Sequence, residues 1–187
     1  KKNPTGRRVT TNNYGSADYY YVNKSSLPKV YGGFNTSLSW KGFDLSAIFA
    51  YSIGGYIYNR DITMILHNGS LEGRDWSTEI LRRWTPDNRY TDVPALSTTS
   101  NNWNSASTRF LQNNSYMRLK NLTLSYNLPK QWISKLSLSS VQVYVQGDNL
   151  FTIHRNQGLD PEQGITGITY YRYPAMRTIS GGINVSF

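Results

Sequence analysis

Apolar and polar side chains alternate along this chain over runs too long for an ordinary strand, and that period of two constrains the fold most. From Val30 to Lys41 one set of positions carries Val30, Gly32, Phe34, Thr36, Leu38 and Trp40, and the other Tyr31, Gly33, Asn35, Ser37, Ser39 and Lys41. After Lys41-Gly42, a pair suited to a hairpin turn, the alternation resumes with Phe43, Leu45, Ala47, Phe49, Tyr51 and Ile53 on one face. Ser140 to Phe151 sets Val141, Val143 and Val145 against Gln142, Tyr144 and Gln146. Met176 to Phe187 sets Ile179, Ile183, Val185 and Phe187 against Thr178, Ser180, Gly182 and Asn184. The window from Ser115 to Tyr126 changes phase between Met117/Leu119 and Leu122/Leu124/Tyr126, which predicts a bulge near Asn121.

These five windows run 11 to 13 residues, against about five or six for a soluble strand and about 9 to 11 for a tilted membrane strand. Of 20 basic and 11 acidic residues, with Lys41 counted to the turn, only Asp44, Arg118, Lys120, Asp148 and Arg177 fall inside the windows. Such partitioning suits a lipid-facing band. The connections also alternate: a tight turn, a long stretch from Tyr56 to Asn114, a short one from Asn127 to Ser139, and a long one from Thr152 to Ala175. Outer-membrane barrels place short turns in the periplasm and long loops outside the cell. Trp40, Phe43, Tyr126 and Phe187 then form an aromatic girdle at the periplasmic end. The expected outward residues are Leu38, Trp40, Phe43, Leu45, Phe49, Ile179, Ile183 and Val185; Asn35, Ser37, Ser46, Ser180 and Asn184 are expected to face the lumen.

The closing residues fit the terminal pattern of bacterial barrels, with Ser180, Gly182, Val185 and Phe187 as the expected assembly signal, read by edge pairing of an extended strand. Further stretches carry a family resemblance: Lys41-Gly42-Phe43-Asp44-Leu45, Arg83-Trp84-Thr85-Pro86-Asp87-Asn88, Tyr116 through Pro129, Val143 through Thr152, Gly158-Leu159-Asp160-Pro161-Glu162, and Tyr173-Pro174 onward. From about Leu27 to the end the chain resembles the SusC/RagA family of TonB-dependent receptors, in the C-terminal part of the barrel. The resemblance implies an all-β, membrane-spanning antiparallel segment: the last five strands of a plugged barrel of about 22 strands. It implies the outer membrane of a Gram-negative bacterium, and import of glycan or peptide nutrients energised by TonB with its inner-membrane motor. It also implies a SusD-like surface lipoprotein as lid, with plug and TonB box in sequence other than this. The expected organisation is an extracellular loop over 1–29, a hairpin over 30–55, a long extracellular loop over 56–114 and three strands over 115–187. Five strands leave edges that cannot close on themselves in lipid, and the chain opens on Lys1 rather than Met, so it is expected to be a piece of a longer protein. A small structural or adhesive barrel and a soluble carbohydrate-binding β domain stand as alternative readings.

No enzyme is expected. Asp75 and Glu79 sit four apart in a helix-like stretch from Arg74 to Trp84, but with Arg82 and Arg83 following they read as an exposed charged face. His67 and His154 lack ligand-spaced partners, so no metal is assigned. Asp160-Pro161-Glu162 is too short for a calcium cage and reads as a loop turn. No cofactor motif is present. The net charge of +9 is scattered, with Lys1-Lys2, Arg7-Arg8 and Arg82-Arg83 the adjacent basic pairs, and nucleic acid is not an expected partner. Aromatic loop residues stack on sugars and peptides alike. The candidate cargo or lid contacts are Tyr56, Tyr58, Trp76, Trp84, Tyr90, Trp103, Tyr170, Tyr171 and Tyr173.

Overall fold

The structure is a computed structural model that describes residues 13–67, 69, 71, 73–99, 102–158, 160–162 and 164–187. The pairs Lys1-Lys2 and Arg7-Arg8, with the rest of residues 1–12 of the expected 1–29 loop, and Leu159 of the quoted Gly158–Glu162 stretch lie outside the described residues. The strands are β1 (Val30–Trp40), β2 (Phe43–Ile53), β3 (Tyr56–Asn59), β4 (Leu111–Asn113), β5 (Tyr116–Asn127), β6 (Ser140–His154), β7 (Ile168–Thr169) and β8 (Thr178–Ser186). Two short helices, α1 (Arg60–Ile65) and α2 (Lys130–Ile133), lie in the connections.

Five strands form one antiparallel sheet in the order β1-β2-β5-β6-β8, and it is not closed within this chain. The β1–β2 turn has φ of 48° at Lys41 and 88° at Gly42. Positive φ at both central residues gives the type I′ hairpin whose twist matches its strands. A residue with a Cβ at position 42 would also crowd the Asn127 carbonyl at 3.1 Å. The expected bulge is present. On the β2 side the register passes from Ile48↔Asn121 to Phe49↔Leu119, and on the β6 side from Leu119↔Phe151 to Asn121↔Asp148. Against β2 the extra residue is Lys120; against β6 the extra residue lies in β6, where Asn149 takes the left-handed conformation at φ 51°.

Because of that bulge, both halves of β5 keep their apolar residues on one face. Across the sheet, Leu38, Leu45, Leu124, Val145 and Gly181 stand in one row, and Trp40, Phe43, Tyr126, Val143 and Ile183 in another. Beyond the bulge Phe34, Phe49, Leu119 and Phe151 continue the same face, with Phe34 and Phe49 stacked at 4.7 Å. The opposite face has the row Ser37, Ser46, Thr123, Gln146, Ser180, and the row Asn35, Ile48, Asn121, Asp148, Thr178. Leu38 remains 67% exposed and Ile183 65%, while Arg118 on the polar face is 3% exposed. A water-soluble sheet does the reverse.

The chain forms two compact units. One contains the five-stranded sheet, from Ser25–Tyr56, Asn113–Ile165 and Tyr173–Phe187. The other is built from Ile57–Gln112 and Thr166–Arg172 together with described residues up to Lys24. This second unit has an ordinary core: Ile57, Leu66, Ile80, Val93 and Phe110 are buried. Strand β7 pairs parallel to β3 through Tyr58↔Ile168 and Asn59↔Thr169, within a small sheet ordered β4-β3-β7. The Asn59 side chain caps α1 by accepting the Ile62 N–H at 3.0 Å.

The expected helix-like stretch from Arg74 to Trp84 is shorter: a 3-10 helix covers Thr78–Arg82, so Asp75 lies outside it. Ser77 caps its start, and Arg83 leaves helical geometry so that the Trp84 N–H reaches the Val93 carbonyl at 2.8 Å. Strand β8 begins at Thr178, leaving Arg177 outside it, whereas β6 runs on to His154. Among the described residues no helix is long and apolar enough to cross a membrane, which says nothing of crossing by strands.

Candidate functional site

The polar face of the five-stranded sheet carries separate hydrogen-bonded groups. Asp44 accepts from the Asn127 amide at 2.7 Å and from the Ser39 hydroxyl. Asp148 accepts from the Asn121 amide at 2.8 Å, Gln142 bonds to Ser125, and Asn184 bonds to Gln142. Strand charges are therefore tolerated where each meets a partner.

At the bulged end of β5 this face carries an ion cluster whose Arg118–Asp160 pair is buried. Arg118 donates from Nε to Thr152 Oγ1 at 2.8 Å, from Nη1 to Glu162 at 2.8 Å and from Nη2 to Asp160 at 2.6 Å. Lys120, the bulged residue, donates to Glu162 Oε1 at 2.7 Å. The second Asp160 oxygen accepts the Ala175 N–H at 2.7 Å, and Oδ1 also takes the Glu162 N–H at 2.9 Å. Burial pushes the Asp160 carboxyl upward. The Glu162 and Ala175 N–H groups and the Arg118 guanidinium outweigh it and hold the group below its usual value. Asp160 thus ties together both ends of the connection after β6 and fixes its base to the polar face. The segment is a loop turn as expected; its ionic attachment to β5 is additional, since Arg118 and Asp160 lie 42 residues apart with no local motif joining them. Beside it an open cavity of about 310 Å³ is lined by Arg118, Thr152, His154, Asp160 and Pro174, among others.

The expected assembly residues occupy the last strand. Ser180 faces Gln146, Gly182 faces Tyr144 and Val185 faces Val141 in the β6–β8 ladder. Tyr144 lies over Gly182 so closely that a Cβ there would fall 2.7 Å from its hydroxyl oxygen. A side chain at position 182 would require the Tyr144 ring to shift. Phe187 follows the last paired residue and is 91% exposed, at the same end of the sheet as the row of Trp40, Phe43 and Tyr126.

The nine aromatic candidates do not gather at one place. Tyr56, Tyr58 and Trp103 are half-buried. Tyr58 meets Phe110 edge-on at 6.2 Å, and burial pushes its phenol above the usual value, opposed by a hydrogen bond with the Ser107 backbone. The Arg109 guanidinium stacks 3.4 Å from the Trp103 ring. Trp76 stands edge-on to the buried His67 at 5.0 Å, and neither His67 nitrogen has a partner among the described residues. Trp76, Trp84, Tyr90, Tyr170, Tyr171 and Tyr173 are exposed. Tyr170 and Tyr171 alone form a ring pair, at 4.4 Å, among the described candidates. His154 is exposed, its Nδ1 2.9 Å from the Asn156 carbonyl, and no cluster of three His, Cys, Asp or Glu occurs among the described residues.

No family model matches the chain. TonB-dependent receptor P3 of Formosa agariphila is 34% identical over 166 residues, covering 83% of this chain and 16% of the relative. SusC of Bacteroides thetaiotaomicron is 27% identical over 168 residues, covering 89% of this chain and 16% of the receptor. Among solved structures, the RagAB peptide importer in its closed-closed state superimposes with a TM-score of 0.83 at 34% identity, over 100% of this chain and 20% of that one. Its open-open state gives 0.81 at 35% identity, over 96% and 19%. The chain is therefore homologous over most of its length to SusC/RagA-type TonB-dependent receptors, a family of transporters rather than enzymes, and it spans less than a fifth of the curated relatives.

Proposed function

We propose that this chain forms the last five strands of a plugged outer-membrane barrel of about 22 strands, in an importer of peptide or glycan nutrients energised by TonB. The observation that carries this reading is the inverted sheet: its apolar face is exposed, and its charged residues lie hydrogen-bonded on the other. In lipid the first face is solvated by acyl chains and the second lines a lumen. The soluble-domain alternative would leave that apolar face in water.

The segments 1–29 and 56–114 and the connection after β6 are read as extracellular, 30–55 as a hairpin and 115–187 as three strands. The edges of β1 and β8 pair with barrel strands outside this sequence, since an open edge in lipid leaves backbone groups unsatisfied. Ser180, Gly182, Val185 and Phe187 act as the assembly signal. Likeness to a peptide importer formed of two components supports a SusD-like lipoprotein as lid and favours peptide over glycan as cargo. The exposed residues Trp76, Trp84, Tyr90, Tyr170, Tyr171 and Tyr173 are the stronger contacts for cargo or lid; the half-buried Tyr56, Tyr58 and Trp103 support their loops.

The test is nutrient uptake by cells carrying the full-length protein, with and without TonB. Uptake and a heat-modifiable outer-membrane species that depend on this gene, with uptake lost on removing TonB, are expected. A protein recovered from the soluble fraction contradicts the proposal.

A further inference from the structure

An exposed aromatic residue carries a backbone outlier between β7 and β8. Tyr171 has φ of 47°, a left-handed conformation that a bulky side chain keeps only where its surroundings impose it. Asp61 imposes it here. Its Oδ1 accepts the Tyr171 N–H at 2.9 Å, and its Oδ2 accepts the hydroxyl of the fully buried Thr169 at 2.7 Å. One carboxylate oxygen is thus anchored to the core while the other holds the strained residue. The Tyr171 ring, 67% exposed, stands beside Tyr170 with the planes 51° apart. The Arg60 guanidinium lies 4.7 Å from the Tyr170 centroid. Neither ring fills a core, so the strain gains nothing in packing; strain of this kind clusters at ligand clamps.

We infer that Arg60, Tyr170 and Tyr171 form a contact for the carboxylate-bearing part of an acidic peptide, with Asp61 as the positioning residue that holds Tyr171 in place. This rests on the reading of the two tyrosines as cargo contacts. The ligand class follows from the donors and acceptors. Each Asp61 oxygen already accepts one hydrogen bond, so donors, those of Arg60 and of the phenol hydroxyls, dominate the site. Sugar hydroxyls need acceptors as well as donors. A peptide supplies carbonyl and carboxylate acceptors for the guanidinium and an apolar side chain for the rings.

The experiment measures retention of a casein tryptic digest by the immobilised full-length transporter, beside the same digest with its carboxylates amidated and beside oligogalacturonate. Arg60→Gln is expected to lower retention of the native digest about tenfold, as loss of a charge-assisted contact does, with little change for the amidated one. Asp61→Ala and Tyr171→Ala each lower retention of both digests. The double variant falls no further, because Asp61 acts through Tyr171. Asp61→Asn retains an acceptor for the Tyr171 N–H and keeps most binding, which answers the objection that Asp61→Ala misfolds. Equal loss of native and amidated digest in Arg60→Gln, or additive losses in the double variant, overturns the inference. Binding unaffected by any variant overturns it while leaving the importer reading intact. A wild-type transporter that retains only oligogalacturonate overturns the peptide assignment itself.

Discussion

The two units of this chain use the same residue types in opposite ways. In the unit around Ile57–Gln112, Ile57, Val93 and Phe110 are almost wholly buried, and charged pairs such as Arg82–Glu79 lie outside. In the sheet unit, Leu38, Trp40 and Ile183 are exposed while Arg118 is buried. One unit carries the ordering imposed by water, and the other the ordering expected when an apolar solvent meets one face. The difference teaches that burial classes have meaning only once the solvent is named.

The largest test removes the edge on which the barrel closes. A full-length protein lacking β8 is expected to fail to assemble at all, because β6 would present unpaired backbone to lipid. Normal outer-membrane levels in heat-modifiable form would break the comparison outright. Next comes the buried pair. Arg118→Ala leaves Asp160 buried without its cation and is expected to destabilise the barrel by about 3 to 5 kcal/mol, read by urea unfolding in detergent or lipid. Replacing exposed Arg82 should change stability by less than about 1 kcal/mol.

A sharper contrast comes from neighbours on one strand. Leu45→Arg near mid-membrane is expected to cost about 2 to 4 kcal/mol, and Ser46→Arg far less, because the proposal turns only the first toward lipid. Equal costs would dissolve the distinction between faces. The smallest effect is the pH dependence of the connection after β6. Asp160 has a depressed folded-state pKa, so its stabilising contribution is complete above the ordinary value of 3.8 and is lost as pH falls through the lower folded value. Protection of residues 160–175 from protease should persist at neutral pH and decline only in that acidic range, and Asp160→Asn should flatten the decline.

Much of the sheet was legible in sequence, because a strand with unlike faces writes its register into a period of two. The Lys41-Gly42 turn and a bulge near Asn121 followed from that pattern, the second from a phase change between Leu119 and Leu122. The Arg118–Asp160 pair was not legible, since neither residue has a neighbour that signals the other across the intervening chain. Strands β3, β4 and β7, of four, three and two residues, are too short to display a period. The stretch from Arg74 to Trp84 misled because its local helical pattern was overridden by the bond from Trp84 to Val93. Of the aromatic candidates, composition identified the rings, but only the fold separates the exposed Tyr170–Tyr171 pair from the packed Tyr58 and Trp103.

The inverted sheet is tested most directly by solvent accessibility, residue by residue. The sequence contains no cysteine, so single cysteines at Leu38, Leu45 and Ile183 and at Ser37, Ser46 and Asn184, in an otherwise cysteine-free full-length protein, can each carry a spin label in bilayers. The account predicts high collision with oxygen dissolved in lipid at the first three and with a water-soluble nickel chelate at the second three. Equal access to the chelate at all six positions would contradict it.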